Sequence, residues 1–322
     1  MFLFTVKNTL KMTQIFFLFI LTGIFFSTSA QNYSEAYLFS YFTGNGEDGL
    51  HLAFSYDGLE WEALNDNKSY LEPQVGNDKL MRDPCVISGS DGKFHMVWTV
   101  SWGEKGIGYA TSGNLIHWSE QKYIPVMEHE PDARNCWAPE LFYDEASELY
   151  MIFWSTTIPG RFPETEKQGD KDYNHRMYYI TSKDLENFSE TKLLYDHGFN
   201  VIDGTLQKED DTYLMFLKDE TRHPQQKNIR LAKSNHLTEG YSKPGEPITG
   251  HYWAEGPTAI KIGDFWYVYF DKYIKHEMGA VRSNDLVHWE DISNLVHFPE
   301  GTRHGTVFKV DVSVVEKLKK DK

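Results

Sequence analysis

Apolar and aromatic positions along the chain come in short dense runs separated by polar turns, and five of these runs are alike. They read "EAYLFSYFTG" (35–44), "KFHMVWTVSW" (93–102), "ELYMIFWSTT" (148–157), "DTYLMFLKDE" (211–220) and "DFWYVYFDKY" (264–273). Runs this short and this rich in Tyr, Phe, Trp, Val and Ile predict β-strands. A second pattern follows each run: a β-rich stretch, a Ser, a polar turn, a Leu or Ile and usually an aromatic. Its serines are Ser55, Ser112, Ser182, Ser234 and Ser283, spaced 57, 70, 52 and 49 residues apart. That spacing suits one four-stranded propeller blade per unit.

Four units carry a further short strand in front: "DPCVIS" (83–88), "APELFYD" (138–144), "DGTLQKE" (203–209) and "EGPTAIKIG" (255–263). The first unit lacks one, and a matching strand, "HGTVFKV" (304–310), stands near the C-terminus. The expected fold is therefore all-β: a five-bladed β-propeller whose ring is closed by the C-terminal strand joining the N-terminal blade, which removes open sheet edges. A β-sandwich with fortuitous internal similarity is the plainer alternative. No long stretch shows helical periodicity. The polar insert 159–175 reads as a rim loop able to shape a site.

The first 30 residues follow different rules. Lys7 and Lys11 precede the apolar run "IFFLFILTGIFF", which ends in the small residues "STSA". A basic flank, a short apolar core and a small-residue exit predict a secretory signal peptide over 1–30, with 31–322 forming a single domain. The run is short for a bilayer span, so membrane insertion is not expected. The expected location is the periplasm or beyond. A net charge of −15 argues against nucleic acid and anionic membrane surfaces as partners. Only Cys85 and Cys136 are present, without zinc-site spacing, and both are expected as buried free thiols.

The innermost strands begin with or near Asp83, Glu140, Asp203, Glu255 and His304. Read as equivalent positions of successive blades, these groups converge on one axis, where clustered like charges repel unless they are put to use. Glycoside hydrolysis needs such carboxylates: one protonates the leaving oxygen, another activates water or attacks the sugar, and a third neighbour raises the acid's pKa. No HExxH, P-loop, GxSxG or EF-hand pattern competes. Carbohydrate chemistry or carbohydrate binding is what remains, with a carbohydrate as the partner.

The ordered motifs "RDP" (82–84), "WAPE" (137–140), "VIDG" (201–204), "AEGP" (254–257) and "RHGT" (303–306) resemble glycoside hydrolase family 43, a group of five-bladed propellers, over the whole mature chain. The resemblance implies an inverting hydrolase acting on plant-type side chains, first an exo-α-L-arabinofuranosidase. A β-D-xylosidase and a galactosidase or galactofuranosidase come next. By motif it implies Asp83 as general base, Glu255 as general acid and Asp203 as the residue that keeps Glu255 protonated and aimed, with Glu140 structural. His304 resembles an axial histidine that helps hold a hydrated ion, often calcium; the chemistry itself requires no cofactor. Trp102, Trp137, Phe199 and Trp253 adjoin the inner-strand ends as candidate sugar platforms, and Arg303 is a candidate donor to sugar hydroxyls. A non-catalytic sugar-binding propeller would be expected to lack one of the three acids. A fructan-cleaving enzyme would need a nucleophile strand before "RDP", and a phosphorylase a cluster of cations.

Overall fold

The computed structural model describes Met1 and residues 33–320; beyond Met1, the leader expected over 1–30 lies outside the described residues. The chain from Tyr33 onward builds five antiparallel sheets in sequence order. The first holds β1 (Glu35–Tyr41), β2 (His51–Ser55) and β3 (Glu62–Ala63). The second holds β4 (Arg82–Ser88), β5 (Phe94–Thr99), β6 (Ile107–Ser112) and β7 (Lys122–Ile124). The third holds β8 (Trp137–Asp144), β9 (Leu149–Thr157), β10 (His175–Ser182) and β11 (Lys192–Tyr195). The fourth holds β12 (Val201–Glu209), β13 (Thr212–Asp219) and β14 (Asn228–Ser234). The fifth holds β15 (Glu255–Ile262), β16 (Phe265–Lys272), β17 (Glu277–Ser283) and β18 (Glu290–Asp291).

The missing first strand of blade one is supplied by β19 (Gly305–Asp311), which pairs with β1 from Glu35 opposite Asp311 to Tyr41 opposite Gly305. Innermost strands then touch in a circle, β4 on β8, β8 on β12, β12 on β15, β15 on β19 and β19 on β4. The ring is a closed five-bladed propeller. At the closure Ser40 Oγ lies 2.6 Å from Pro84 O and 3.2 Å from Thr306 O, tying β1 to both inner strands beside it. Gly305 is required there, since a Cβ would stand 1.9 Å from Ser40 O.

Each aromatic run has side chains buried on both faces of its blade. In blade one Leu38 joins the cluster shared with Met96 and Trp98 of blade two, while Phe39 turns the other way to Tyr269 of blade five. In blade four Met215 packs with Phe153 of blade three, and Phe216 with Val268 of blade five. The two-residue period of a strand thus feeds two interblade cores, which is why the runs are apolar almost throughout. The repeated serines have a local cause. Ser55, Ser112, Ser182, Ser234 and Ser283 each accept a backbone N–H two or three residues on, at 2.8–2.9 Å, shaping the turn after the third strand.

Two features depart from the expected pattern. Blade four has three strands, because the segment beside β14 contains Pro244 and Pro247, which cannot donate to a ladder. That segment still covers the edge through three backbone bonds, Ser242 to Lys233, Gly245 to Leu231 and Ile248 to Ile229. The second is a C-terminal helix, α1 (Val312–Lys320), which caps the core between blades one and two with buried Val315 and Leu318. Asp311 Oδ1 accepts the Ser313 N–H at its start. Among the described residues no helix is long and apolar enough to cross a membrane, and both cysteines are free and buried.

Because Leu318 is 1% exposed inside an interblade core, Leu318→Ala is expected to lower unfolding free energy by about 2–4 kcal/mol. Denaturant unfolding of the two proteins checks this. A change within about 0.5 kcal/mol, as at an ordinary surface site, would place α1 off the cooperative fold.

Candidate active site

Four inner strands break register at the same place: between Arg82 and Cys85, Trp137 and Glu140, Ile202 and Thr205, and Glu255 and Thr258. One residue in each break has positive φ: Asp83 (52°), Ala138 (45°), Asp203 (51°) and Gly256 (56°). Such bulges re-aim side chains at barrel rims and active sites, and a non-glycine residue there holds strain of roughly 1–3 kcal/mol.

Aligning the strands on the bulge corrects the expectation that the acids are equivalent. Asp83 and Asp203 share the bulge position, and His304 matches it by motif in the closing strand. Glu255 stands one residue earlier and Glu140 two residues later. Because the strands run along the channel, Asp83, Asp203, Glu255 and His304 line one pocket of about 210 Å³. Glu140 lies deeper, across a cavity of about 10 Å³ that it shares with Asp83, Asp203 and His304. A wider groove of about 660 Å³ beside Lys272 and Phe298 has none of these inner-strand groups.

The pocket acids have different partners. Asp83 Oδ2 accepts from Thr99 Oγ1 at 2.8 Å, and Thr99 Oγ1 in turn accepts the Ala138 N–H. Asp83 Oδ1 lies 3.1 Å from His304 Nε2, at an angle that leaves it without a hydrogen bond. Asp203 Oδ2 accepts the Gly256 N–H at 3.1 Å. Only glycine fits at 256, since a Cβ would come within about 2 Å of the His304 ring. Glu255 is surrounded by cations: Lys218 Nζ at 3.0 Å, Arg303 Nη2 at 3.4 Å and His304 Nε2 at 3.8 Å.

These surroundings drive the two carboxyls apart. Burial pushes Asp203 up to about 6, with the Glu255 and Asp83 charges adding to it against the pull of His304 and Lys218. Burial acts on Glu255 too, but Lys218, His304 and Arg303 outweigh it and hold the carboxyl down at about 2. Of the two carboxyls, Asp203 is therefore the one whose surroundings favour the protonated form, while those of Glu255 favour the ionised form.

The remaining predicted residues divide. Trp102, Trp137 and Trp253 line the pocket. Trp102 is 46% exposed at its mouth, and Trp137 meets it edge-on at 5.5 Å. Phe199 does not reach the pocket. It packs into the core between blades three and four, edge-on to Tyr195. Arg303 is not among the residues that line the pocket; its Nε donates to Asp271 Oδ2 at 2.5 Å and its Nη2 to Glu255. Insert 159–175 is a wall of the site. Gln168 O accepts from two backbone N–H groups of the 222–223 turn, Tyr173 O accepts from Asn200, and Asp170 faces the pocket.

Pocket residues that were not foreseen include Thr99, Asp170 and Ile202 as well as Arg82, Lys218, Glu220, Lys227 and Tyr273. Arg82 is held between the rings of Phe42 and Trp102, 4.6 and 4.4 Å from their centres. Lys218 lies opposite Ile202, in the position that Thr99 and Asp271 take opposite Arg82 and Glu255. A charge closing an otherwise apolar second strand was the available signal.

The ion expected at His304 does not fit these residues. Glu255, Asp271 and His304 bring ligand atoms within 4.8 Å of one another, but the Arg303 guanidinium bonds both carboxylates and supplies the positive charge itself. The axial cavity beneath, about 10 Å³, is one water's room and too small for a hydrated ion.

A family profile related to glycoside hydrolase family 43, described as a "probable glycosyl hydrolase domain", matches residues 32–316. The chain belongs to this family. An α-L-arabinofuranosidase of Bifidobacterium longum subsp. longum is 26% identical over 245 residues, covering 64% of this chain and 23% of that protein. The chain thus spans about a quarter of that relative's length. The solved α-L-arabinofuranosidase from Lactobacillus brevis superposes with a TM-score of 0.52 at 18% identity, over 66% of this chain and 72% of that one. A thermostable family-43 glycoside hydrolase gives 0.51 at 18% identity, over 66% and 71%. At that identity the likeness is one of fold.

In this family-43-related domain Glu140 offers a test of the axial layer. Its carboxyl lies 3.3–3.4 Å from Cys85 Sγ, Thr205 Oγ1 and Thr306 Oγ1. Burial, helped by the Asp83 charge and opposed by those bonds, pushes it from an ordinary 4.5 up to about 8. The native state then holds an extra proton between those values, so stability falls as pH rises through that window. Relative to Glu140→Gln, wild type should lose about 2–4 kcal/mol between about pH 5 and pH 8, read from denaturant curves at each pH. Parallel curves would mean that the native carboxyl is ionised.

Proposed function

We propose that the protein is an exo-acting glycoside hydrolase that removes terminal sugars from plant-type polysaccharide side chains with inversion, α-L-arabinofuranosyl groups first. The observation that carries this reading is the convergence of Asp83, Asp203 and Glu255 on one small pocket walled by insert 159–175. A volume of about 210 Å³ suits a single sugar ring, which supports release from a chain end. Three tryptophans on the pocket give apolar faces for such a ring.

In this reading Asp83 takes a proton from water as the water oxygen bonds to the anomeric carbon. The bond to the leaving oxygen breaks on the opposite face, and Glu255 delivers a proton to that oxygen. Asp203 and Glu255 titrate as a unit, so one proton held by the pair passes out through Glu255. The bulge at Asp83 turns its carboxyl toward the pocket, with Oδ1 free of any hydrogen bond in the structure. The leader pattern over residues 1–30 supports export to where such polysaccharides are met.

The test is hydrolysis of 4-nitrophenyl α-L-arabinofuranoside, β-D-xyloside, β-D-galactoside and β-D-galactofuranoside, with product configuration followed by proton NMR. One pentoside should be turned over with inversion. A β-xyloside or galactoside result would keep the mechanism and change the sugar. Asp83→Asn and Glu255→Gln should each lower kcat by about 10²–10⁴ on a substrate with a poor leaving group. Near-normal turnover by Glu255→Gln on that substrate would move the acid elsewhere. Sugar binding without turnover by wild type would make the protein a lectin-like propeller.

A further inference from the structure

Lys218 is the least expected side chain in the pocket. It is the penultimate residue of β13, follows the fully buried Phe216 and Leu217, and is itself 1% exposed. Its Nζ lies 2.6 Å from Glu220 Oε2 and 3.0 Å from Glu255 Oε2, with the Tyr273 ring centre 4.7 Å away. Glu220 also pairs with Lys227, whose Nζ is 2.8 Å from Asp170 of the insert. An alternating chain, Glu255–Lys218–Glu220–Lys227–Asp170, therefore runs from the reaction centre to the pocket wall.

The fold does not demand a lysine here. The matching positions of three other blades hold Thr99, Ser155 and Asp271. A buried ion pair is a weak source of stability compared with apolar packing of the same volume, so its placement against a reacting group points to use. Every element around Glu255 brings charge: Lys218 from β13, Arg303 and His304 from the closing segment, Asp271 from β16, Asp203 from β12 and Asp83 from β4. Arg303 is shared with buried Asp271, and His304 Nε2 is nearer Asp83 than Glu255. Lys218 is the closest cation to Glu255, and its ammonium is shared with a second acid, Glu220.

We propose that Lys218 is a positioning residue for the acid: with Glu220 as its second counter-ion, it fixes the Glu255 carboxyl against β13 and sets the pH range in which that carboxyl carries a proton. The inference rests on Glu255 as the acid. It makes the Lys218–Glu220 pair a two-way control. Removing the lysine frees Glu255 to take a proton at higher pH. Removing the Glu220 charge leaves the ammonium to Glu255 alone and does the opposite.

The experiment is the pH dependence of kcat/KM for wild type, Lys218→Met and Glu220→Gln on a substrate with a sugar or alkyl leaving group, where the alkaline limb reports the acid of the free enzyme. Lys218→Met should move that limb up by about 1–3 pH units, the span an adjacent opposite charge commands, and Glu220→Gln should move it down. Unmoved limbs, or both moving the same way, would overturn the inference. If Lys218→Met does not fold, the direction of the Glu220→Gln shift decides alone. A wild type that hydrolyses nothing would instead remove the enzymatic reading. In that case the same comparison is made by infrared titration of the carboxyl band that Glu255→Gln abolishes, and an unshifted band in the Lys218 and Glu220 variants would overturn the role of Lys218.

Discussion

Seven consecutive residue pairs between β1 and β19 hold the ring closed, and the pocket exists because they do. Every blade is buried on both faces, so an open ring would expose two interblade faces together with the facing edges of β1 and β19. Closure also brings Arg303 and His304, which precede β19, against acids that arrive from two other blades. Residues 83 and 304 are far apart in sequence and 3.1 Å apart in space. A bundle of local contacts could not achieve that. The same closure seats α1 over the core between blades one and two, so the last elements of the chain act as a clasp.

Convergence creates an electrostatic conflict that the bulges and the second strands settle between them. The bulge turns Asp83 and Asp203 inward at positive φ, and inward carboxylates that close would repel. The ends of the second strands answer with Thr99, Lys218 and Asp271, each opposite the residue before a bulge. Thr99 bonds Asp83 directly. Lys218 neutralises Glu255, and Asp271 fixes the arginine that bonds the other oxygen of Glu255. The result is one ionised glutamate among cations and one buried aspartate that favours its proton.

Much of this was legible before any coordinates. The aromatic runs, the serine turns and the displaced strand at 304–310 are local patterns with local causes, and they carried the blade count and the closure. Asp83, Asp203, Glu255 and His304 were legible because each sits in a short motif at an inner-strand start. What was not legible depends on depth. A motif can show that Glu140 begins a strand like Glu255, but a three-residue offset along the channel puts one in the pocket and the other below it. Phe199 misses the pocket for a similar reason, since adjacency in sequence does not say which way a side chain turns. Helix α1 was hidden by its brevity: Val312, Val315 and Leu318 make one apolar stripe in a chain read for a period of two. The absence of a fourth strand in blade four was readable from Pro244 and Pro247.

The channel below the pocket shows how little separates a carboxyl that favours its charge from one that favours its proton in this fold. Glu140 and Glu255 are both removed from bulk water, and both face the axis. Glu255 meets an ammonium, a guanidinium and an imidazole; Glu140 meets a thiol and two hydroxyls. Weak neutral donors cannot offset desolvation, so Glu140 is driven towards its neutral form, while three cationic partners do offset it for Glu255. Each inner strand presents the axis with several levels, and the charge that faces each level from a neighbouring strand decides what an acid there can do. The pocket level is therefore marked less by its acids than by the cations placed to meet them. Among these, Lys218 is the one drawn from the body of a blade rather than from the closing segment.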